Sequence, residues 1–307
     1  MGPIRKSAVA GSFYPRFQAD IKDLIETSFK DSTFGPGMDF HAGHKEAGKE
    51  RQVLGGVCPH AGYIYSGCCS CHTLQAICTE GVPDTFIILG NVHTGYREIS
   101  VMKEGKWETP MGEMPIDSEL AKMILERCPT TVADDSAFMG FPHGREHNIE
   151  VQIPFLQYIA QSTKKAIKIV TIAVGSMDFS KLERFGTQLA EVLYDARKSK
   201  DIAIIASSDM THHEPKNRAK PAEDIKWQYE KDNAVMHAFE QFDIPAVYKH
   251  ANETTVCGPQ TISSLMIIGK TLGYKNAKKL KYYTSYEKMG GNGPCDYSVG
   301  YFSGIIQ

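Results

Sequence analysis

Leu54-Gly-Gly-Val-Cys-Pro-His-Ala-Gly-Tyr-Ile-Tyr-Ser-Gly67 decides how the rest of the chain is read. Leu54 to Val57 is a short apolar run that stops at a proline and a glycine-bounded turn, with His60 just past its end. Behind Ser66-Gly67, the residues Cys68, Cys69, Cys71, Leu74, Ile77 and Cys78 wrap a helix over Gly67–Thr79. An apolar run of strand length followed by a turn and a helix predicts a strand buried on both faces. Side chains just past the carboxyl ends of such strands collect ligands, because loops and helix N-termini converge there. His60 is therefore a candidate site residue.

The same pattern recurs. Phe86–Leu89 is a second apolar run and ends in Gly90-Asn-Val-His93-Thr-Gly95; Ile202–Ala206 is another and ends in Ser207-Ser-Asp209-Met-Thr-His212-His213. Core filling does not place histidines preferentially at strand ends, so three such endings point to a shared site. Ile167–Val174 adds a further strand. Helical spacing of apolar residues marks Asp20–Lys30, Ser118–Arg127 with Ser118 as its cap, Glu146–Leu156 with Pro154 in its first turns, Lys181–Arg197, Asp232–Phe242, Ile244–His250 and Ile262–Leu272. Lys281–Tyr286 and Tyr297–Ile305 read as a closing pair of alternating strands.

Strands alternating with helices predict an α/β fold: a single domain over 1–307 with a mostly parallel or mixed central sheet and helices on both faces. Residues 31–50 lack an apolar period and read as a loop insertion, and the charged, proline-punctuated 214–230 as a mobile flap over the site end of the sheet.

The 307 residues are 42% hydrophobic and 23% charged, with a formal net charge of -2 and no single-sign block, which argues against a nucleic-acid or membrane-surface binder. The N-terminal stretch lacks the apolar core of a signal peptide, and the expected location is the cytoplasm. Eight cysteines in a chain of this length are too sparse for a disulfide framework. Cys68-x-x-Cys71 reads as buried small side chains, since no second such pair exists, and His41-Ala-Gly-His44 as solvated histidines, since no strand precedes it. Neither a dinucleotide-binding glycine fingerprint nor a phosphate loop occurs.

The strongest constellation is His60 and His93 with one anionic ligand, either Asp209 or Cys257. Asp209, His147 and His212 stand as outer groups. Two imidazoles and one negative group are the minimal set for an open-coordination divalent metal such as non-haem iron. His147 falls near a helix N-terminus. Cys257 stands at the entry to Ile262–Leu272, where helix amides favour a thiolate.

Val9-Ala-Gly-Ser-Phe-Tyr14, Pro59-His-Ala-Gly-Tyr63, Ile88-Leu-Gly-x-x-His93, Thr109-Pro-x-Gly112, Glu146-His-x-Ile-Glu150, Ser207-Ser-Asp209 with His212, and Val256-Cys-Gly258 together resemble the Memo family, known in prokaryotes as AmmeMemoRadiSam system protein B. The resemblance runs in order through nearly the whole chain. It implies a fold like that of the class III extradiol dioxygenases, which hold non-haem iron at strand ends with two histidines and a glutamate. By motif, His60 and His93 match the two histidine ligands, and Cys257 matches the family's third ligand where the dioxygenases have a carboxylate. His212 falls near the dioxygenase base, with His147 and Asp209 completing the catalytic pocket.

A thiolate ligand is softer than a carboxylate, so the implied metal is iron, with copper or zinc also accommodated, and the ligand is itself oxidisable. The resemblance implies a metal-binding protein, either a non-haem iron or copper dependent oxidoreductase or a non-catalytic peptide or phosphopeptide-binding module using a vestigial dioxygenase-like pocket. Hydrolysis by a metal-activated water is a third reading. Implied partners are a small molecule or peptide, and a functional link to a radical-SAM protein.

Overall fold

The structure, a computed structural model, describes residues 2–46, 49–93, 95–139 and 146–307. Thr94 of the His93 motif and 140–145 of the polar stretch before His147 lie outside them. In chain order the strands are β1 Ile4–Arg5, β2 Gly55–Cys58, β3 Thr85–Asn91, β4 Ile99–Val101, β5 Lys106–Thr109, β6 Gly112–Pro115, β7 Thr131–Val132, β8 Lys168–Val174, β9 Ile202–Ser207, β10 His212–His213, β11 Ala277–Thr284 and β12 Ser298–Ile306. The helices are α1 Gln18–Lys30, α2 Tyr63–Cys78, α3 Ser118–Arg127, α4 Ser136–Met139, α5 Ile153–Thr163, α6 Phe179–Ala196, α7 Ala222–Glu240, α8 Ile244–Asn252, α9 Pro259–Thr271 and α10 Ser285–Lys288.

The main sheet runs β10-β12-β2-β9-β3-β8-β4-β7, with β11 also paired to β12. Its centre, β2-β9-β3-β8, is parallel, while β12 and β4 join antiparallel on either side, so the sheet is mixed. Every residue of β2, β3 and β9 is buried, which is why these segments read as solid apolar runs and not as alternating ones. Helices α1, α2 and α5 pack together in one layer and α3, α6, α8 and α9 in the other. The amphipathic α6 buries Leu182, Phe185, Leu189, Val192 and Leu193, each contributing about 1.5–3 kcal/mol on leaving water. A separate three-stranded sheet, β1-β5-β6, pairs the N-terminal Ile4 and Arg5 in parallel with Lys106 and Trp107 at the start of β5.

Several expectations change. Asp117, not Ser118, caps α3, because its carboxylate accepts the Leu120 N–H. The helix expected from Asp232 begins at Ala222, so the second half of 214–230 forms the first turns of α7. Residues 31–46 carry no helix or strand, but Phe40 packs on Phe29 and Tyr158, and the His41 backbone is held on both sides by the Gln75 amide. β12 does not alternate: all nine of its residues are buried, because it lies between β2 and the β10 and β11 strands under α2 and α7.

One buried acid in this frame contributes to the dependence of stability on pH. Asp232 on α7 accepts the Thr211 N–H and the Tyr282 hydroxyl, and burial pushes its carboxyl up to about 6 from 3.8. The folded state holds this proton more tightly than the unfolded chain, so Asp232 makes stability fall as pH rises from about 4 to 6. Asp232→Asn keeps both contacts, its amide now donating to Tyr282. Denaturation at pH 4 and pH 7 is expected to show a stability advantage for the variant that appears only at the higher pH, on the order of 1–3 kcal/mol. An equal difference at both pH values would reject the assignment.

Candidate metal centre

β2, β9 and β3 are neighbours with the same direction, so the residues just past their ends come together: His60 after β2, Asp209 after β9 and His93 after β3. Gly90, at the end of β3, permits the close passage of Asn148 and Ile149 that an added Cβ would block, which sets Glu146 and His147 beside His93. Cys257 is brought in at the entry to α9 by its backbone N–H, which donates to the Asp209 carbonyl at 3.2 Å.

Hydrogen-bond accounting fixes the state of His60. The Ser207 hydroxyl donates to the Asn148 carbonyl at 2.8 Å and accepts from the Gln152 amide at 3.0 Å. With its only proton committed, it must accept from His60 Nδ1 at 3.0 Å, so Nδ1 carries the hydrogen and Nε2 the lone pair. Nε2 is buried and, among the described residues, has no hydrogen-bond partner. Burial, followed by the neighbouring histidines, holds the imidazole well below its ordinary pKa and hence neutral. An orphaned basic nitrogen in a buried site is costly unless something binds it.

His93 is arranged in parallel fashion. Its Nδ1 lies 2.9 Å from Glu146 Oε1 and its backbone N–H donates to Oε2 at 2.8 Å. Burial works against the Glu146 charge, but His93 outweighs it and the carboxyl is held at about 2. Glu146 therefore accepts the Nδ1 proton, leaving Nε2 as the donor atom, within 3.2 Å of the Asn91 amide. A histidine whose far nitrogen is tied to a carboxylate or hydroxyl is the usual outer arrangement of a metal ligand.

Donor atoms of His60, His93 and Cys257 all lie within 4.8 Å of one another, as do those of Asp209, His212 and Cys257, and of His93, Glu146 and His147. The His60 and His93 rings meet edge-on at 5.4 Å, and His147 stacks on His93 at 5.1 Å. His60 Nε2 and His212 Nε2 stand 3.9 and 3.8 Å from Asp209 Oδ2, and His212 Nε2 is 3.2 Å from Cys257 Sγ. Burial pushes the Asp209 carboxyl up to about 7, against the His60 N–H that it accepts at 2.8 Å. Burial, with His93 and His147, lowers His212 to about 4. The expected thiolate-favouring effect of the α9 N-terminus on Cys257 is overturned: burial, aided by the nearby Asp209 charge, pushes the thiol up in the absence of a cation. The donor set nevertheless fits a metal, since a divalent cation deprotonates a coordinating thiol.

All six sequence-derived site residues border one cavity of about 900 Å³. Its outer wall is aromatic and apolar, with Tyr65, Tyr286, Met289 and Tyr297. Glu146 and Ser207 carried no role of their own when read along the chain; the signal was their place in motifs that also hold His147 and Asp209. His41 and His44 are exposed and Cys68 and Cys71 are buried free thiols, as expected.

The Memo-like protein family profile matches residues 5–305. The chain belongs to this family. MEMO1 family proteins of Thermococcus onnurineus and Pyrococcus furiosus are 35% and 34% identical to it, each over 99% of both chains. A MEMO1 family protein of Desulfurococcus amylolyticus is 37% identical over 97% of this chain and 96% of its own length. The match covers every Memo motif set out from the sequence, Val9–Tyr14 through Val256–Gly258. Among the described residues, no helix is long and apolar enough to cross a membrane.

Proposed function

We propose that this Memo-like chain binds one metal ion through His60, His93 and Cys257 and carries out oxidoreductase chemistry on a small molecule or peptide held in the adjoining cavity. The observation behind this reading is His60 Nε2, buried and without a hydrogen-bond partner among the described residues, while Ser207 holds the proton on Nδ1. Two imidazoles and a thiolate suit iron, with copper or zinc also accommodated. Iron or copper bound there would supply electron-transfer chemistry. The chain's own residues do the rest: Ser207 and Glu146 aim the imidazoles, and the aromatic wall of Tyr65, Tyr286 and Tyr297 borders the space for the substrate. Asp209 and His212 hold or move a proton at Oδ2 and Nε2, as the catalytic groups with His147.

The test is metal content of tag-free protein reconstituted without oxygen with iron(II), copper(I) or zinc(II), beside Cys257→Ala. Stoichiometric retention by the wild type and its loss in the variant are expected. Equal retention by both, or none by the wild type, rejects the ligand set. Oxygen uptake by the iron and copper forms with candidate substrates then separates an oxidoreductase from a carrier.

A second reading, a peptide or phosphopeptide-binding module, is favoured by the open apolar rim, where Met289 is 69% and Tyr297 49% exposed. It predicts phosphopeptide binding that His212→Ala weakens and metal removal leaves intact.

A further inference from the structure

Outside the metal centre, Cys68 on α2, Lys288 at the end of α10 and Asp31 at the end of α1 form a cluster that none of the above uses. Lys288 Nζ lies 2.8 Å from Asp31 Oδ2 and 3.2 Å from Cys68 Sγ, and Sγ lies 3.5 Å from the same carboxylate oxygen. The amine is further held over the Phe34 ring at 4.6 Å, and Phe34 is fixed in turn by its backbone N–H to Asp31 Oδ1. Amine and thiol are thus in contact and oriented from three sides. Among the described residues no other cysteine has a lysine amine within hydrogen-bonding distance. Cys68 is only 3% exposed, but the side chains of Lys288 and Asp31 are 16% and 23% exposed, which opens the cluster to a small oxidant.

We propose that Cys68 and Lys288 are the site of a reversible oxidative cross-link, a sulfur–nitrogen bond formed on exposure to a peroxide. In the first step the Cys68 thiol takes one oxygen from hydrogen peroxide: the S–O bond forms as the O–O bond breaks, giving a sulfenic acid and water. Sulfenic acids condense with a neighbouring nitrogen, and here that nitrogen is Lys288 Nζ. Asp31 accepts the ammonium proton and passes it to solvent. The amine lone pair then forms the N–S bond, the S–O bond breaks, and the hydroxyl leaves as a second water with one of the two remaining amine protons, the other staying on the sulfenamide nitrogen. In sum, thiol, amine and one hydrogen peroxide give a sulfenamide and two waters; sulfur is oxidised by two electrons and the peroxide is reduced.

The bond would tie α2 to the end of α10. Ser285 and Tyr286 of α10, and Met289 just after it, line the large cavity, and the turn beyond them runs through Gly290, Gly291 and Gly293, all at positive φ. Cross-linking would therefore anchor one wall of the cavity at its base while leaving the ligand set untouched. This inference does not depend on whether a metal is bound.

The experiment treats the full-length protein with hydrogen peroxide, blocks free thiols, digests it with a protease that does not cut at lysine, and reads the peptides by mass spectrometry. The expected result is a joined pair of peptides carrying Cys68 and Lys288, lighter by two hydrogens than their sum, which separates on treatment with dithiothreitol. It should disappear in Cys68→Ser and in Lys288→Arg. Cys68 recovered as a free thiol, a sulfinate or a disulfide with Lys288 unmodified overturns the proposal, and a joined pair that retains an oxygen atom overturns the direct sulfur–nitrogen bond. The wild-type reading stands alone if either variant folds poorly.

Discussion

Glu150→Ala is expected to destabilise the protein by about 3–5 kcal/mol, the cost of leaving one partner of a buried ion pair behind. Glu150 is fully buried and sits 3.0 Å from Arg5 Nη1, whose side chain is 3% exposed. The same carboxylate accepts the N–H groups of Ala8 and Val9 and the Tyr14 hydroxyl. It therefore pins the whole Val9–Tyr14 motif, including Phe13, which lines the large cavity and whose carbonyl accepts the Tyr63 N–H at the start of α2. Removing it takes one buried anionic contact from Arg5 and leaves the Ala8 and Val9 N–H groups and the Tyr14 hydroxyl without this acceptor. Urea unfolding gives the number, and Glu150→Gln, which keeps one acceptor oxygen, should lose less. A loss below about 1 kcal/mol, the size of an exposed ion pair, would show that the pair carries no such weight.

Ser207→Ala is expected to weaken metal binding about 10–100-fold without touching a ligand. The serine hydroxyl is the group that keeps the His60 hydrogen on Nδ1. Without it the imidazole is free to rotate or to place its proton on Nε2, the nitrogen that would face the metal, and binding must first reverse that. Competition against a chromophoric chelator measures the change. Glu146→Gln makes the parallel test at His93, since a neutral amide no longer holds the Nδ1 proton as a carboxylate does. Unchanged affinity in both variants would mean that the outer groups do not set the imidazoles. Loss in Ser207→Ala alone would confine the effect to His60.

These two predictions turn on residues that the sequence displayed but did not explain. Glu146 and Glu150 stand four residues apart in one motif, yet one orients a candidate ligand and the other holds the N-terminal segment. Nothing local separates them, because their partners lie far along the chain: His93 is 53 positions from Glu146, and Ala8 is 142 from Glu150. Ser207 is 147 positions from the histidine it orients. Cys257 shows the opposite failure, in which a local rule was available and burial outweighed it.

What the sequence determined by itself was the parallel centre of the sheet and the histidines at its edge. A strand covered on both faces must be apolar throughout, so β2, β3 and β9 announce themselves as unbroken runs, and a polar residue can appear only where the run leaves the core. His60, His93 and Asp209 are those residues. Tertiary structure alone decided the order β2-β9-β3, which puts Asp209 between the two histidines, and the mixed character that β12 and β4 give the sheet. It also decided which nitrogen of each imidazole faces inward. Strand order and proton position depend on contacts between segments with no fixed spacing in the chain, and hydrophobic period carries no information about either.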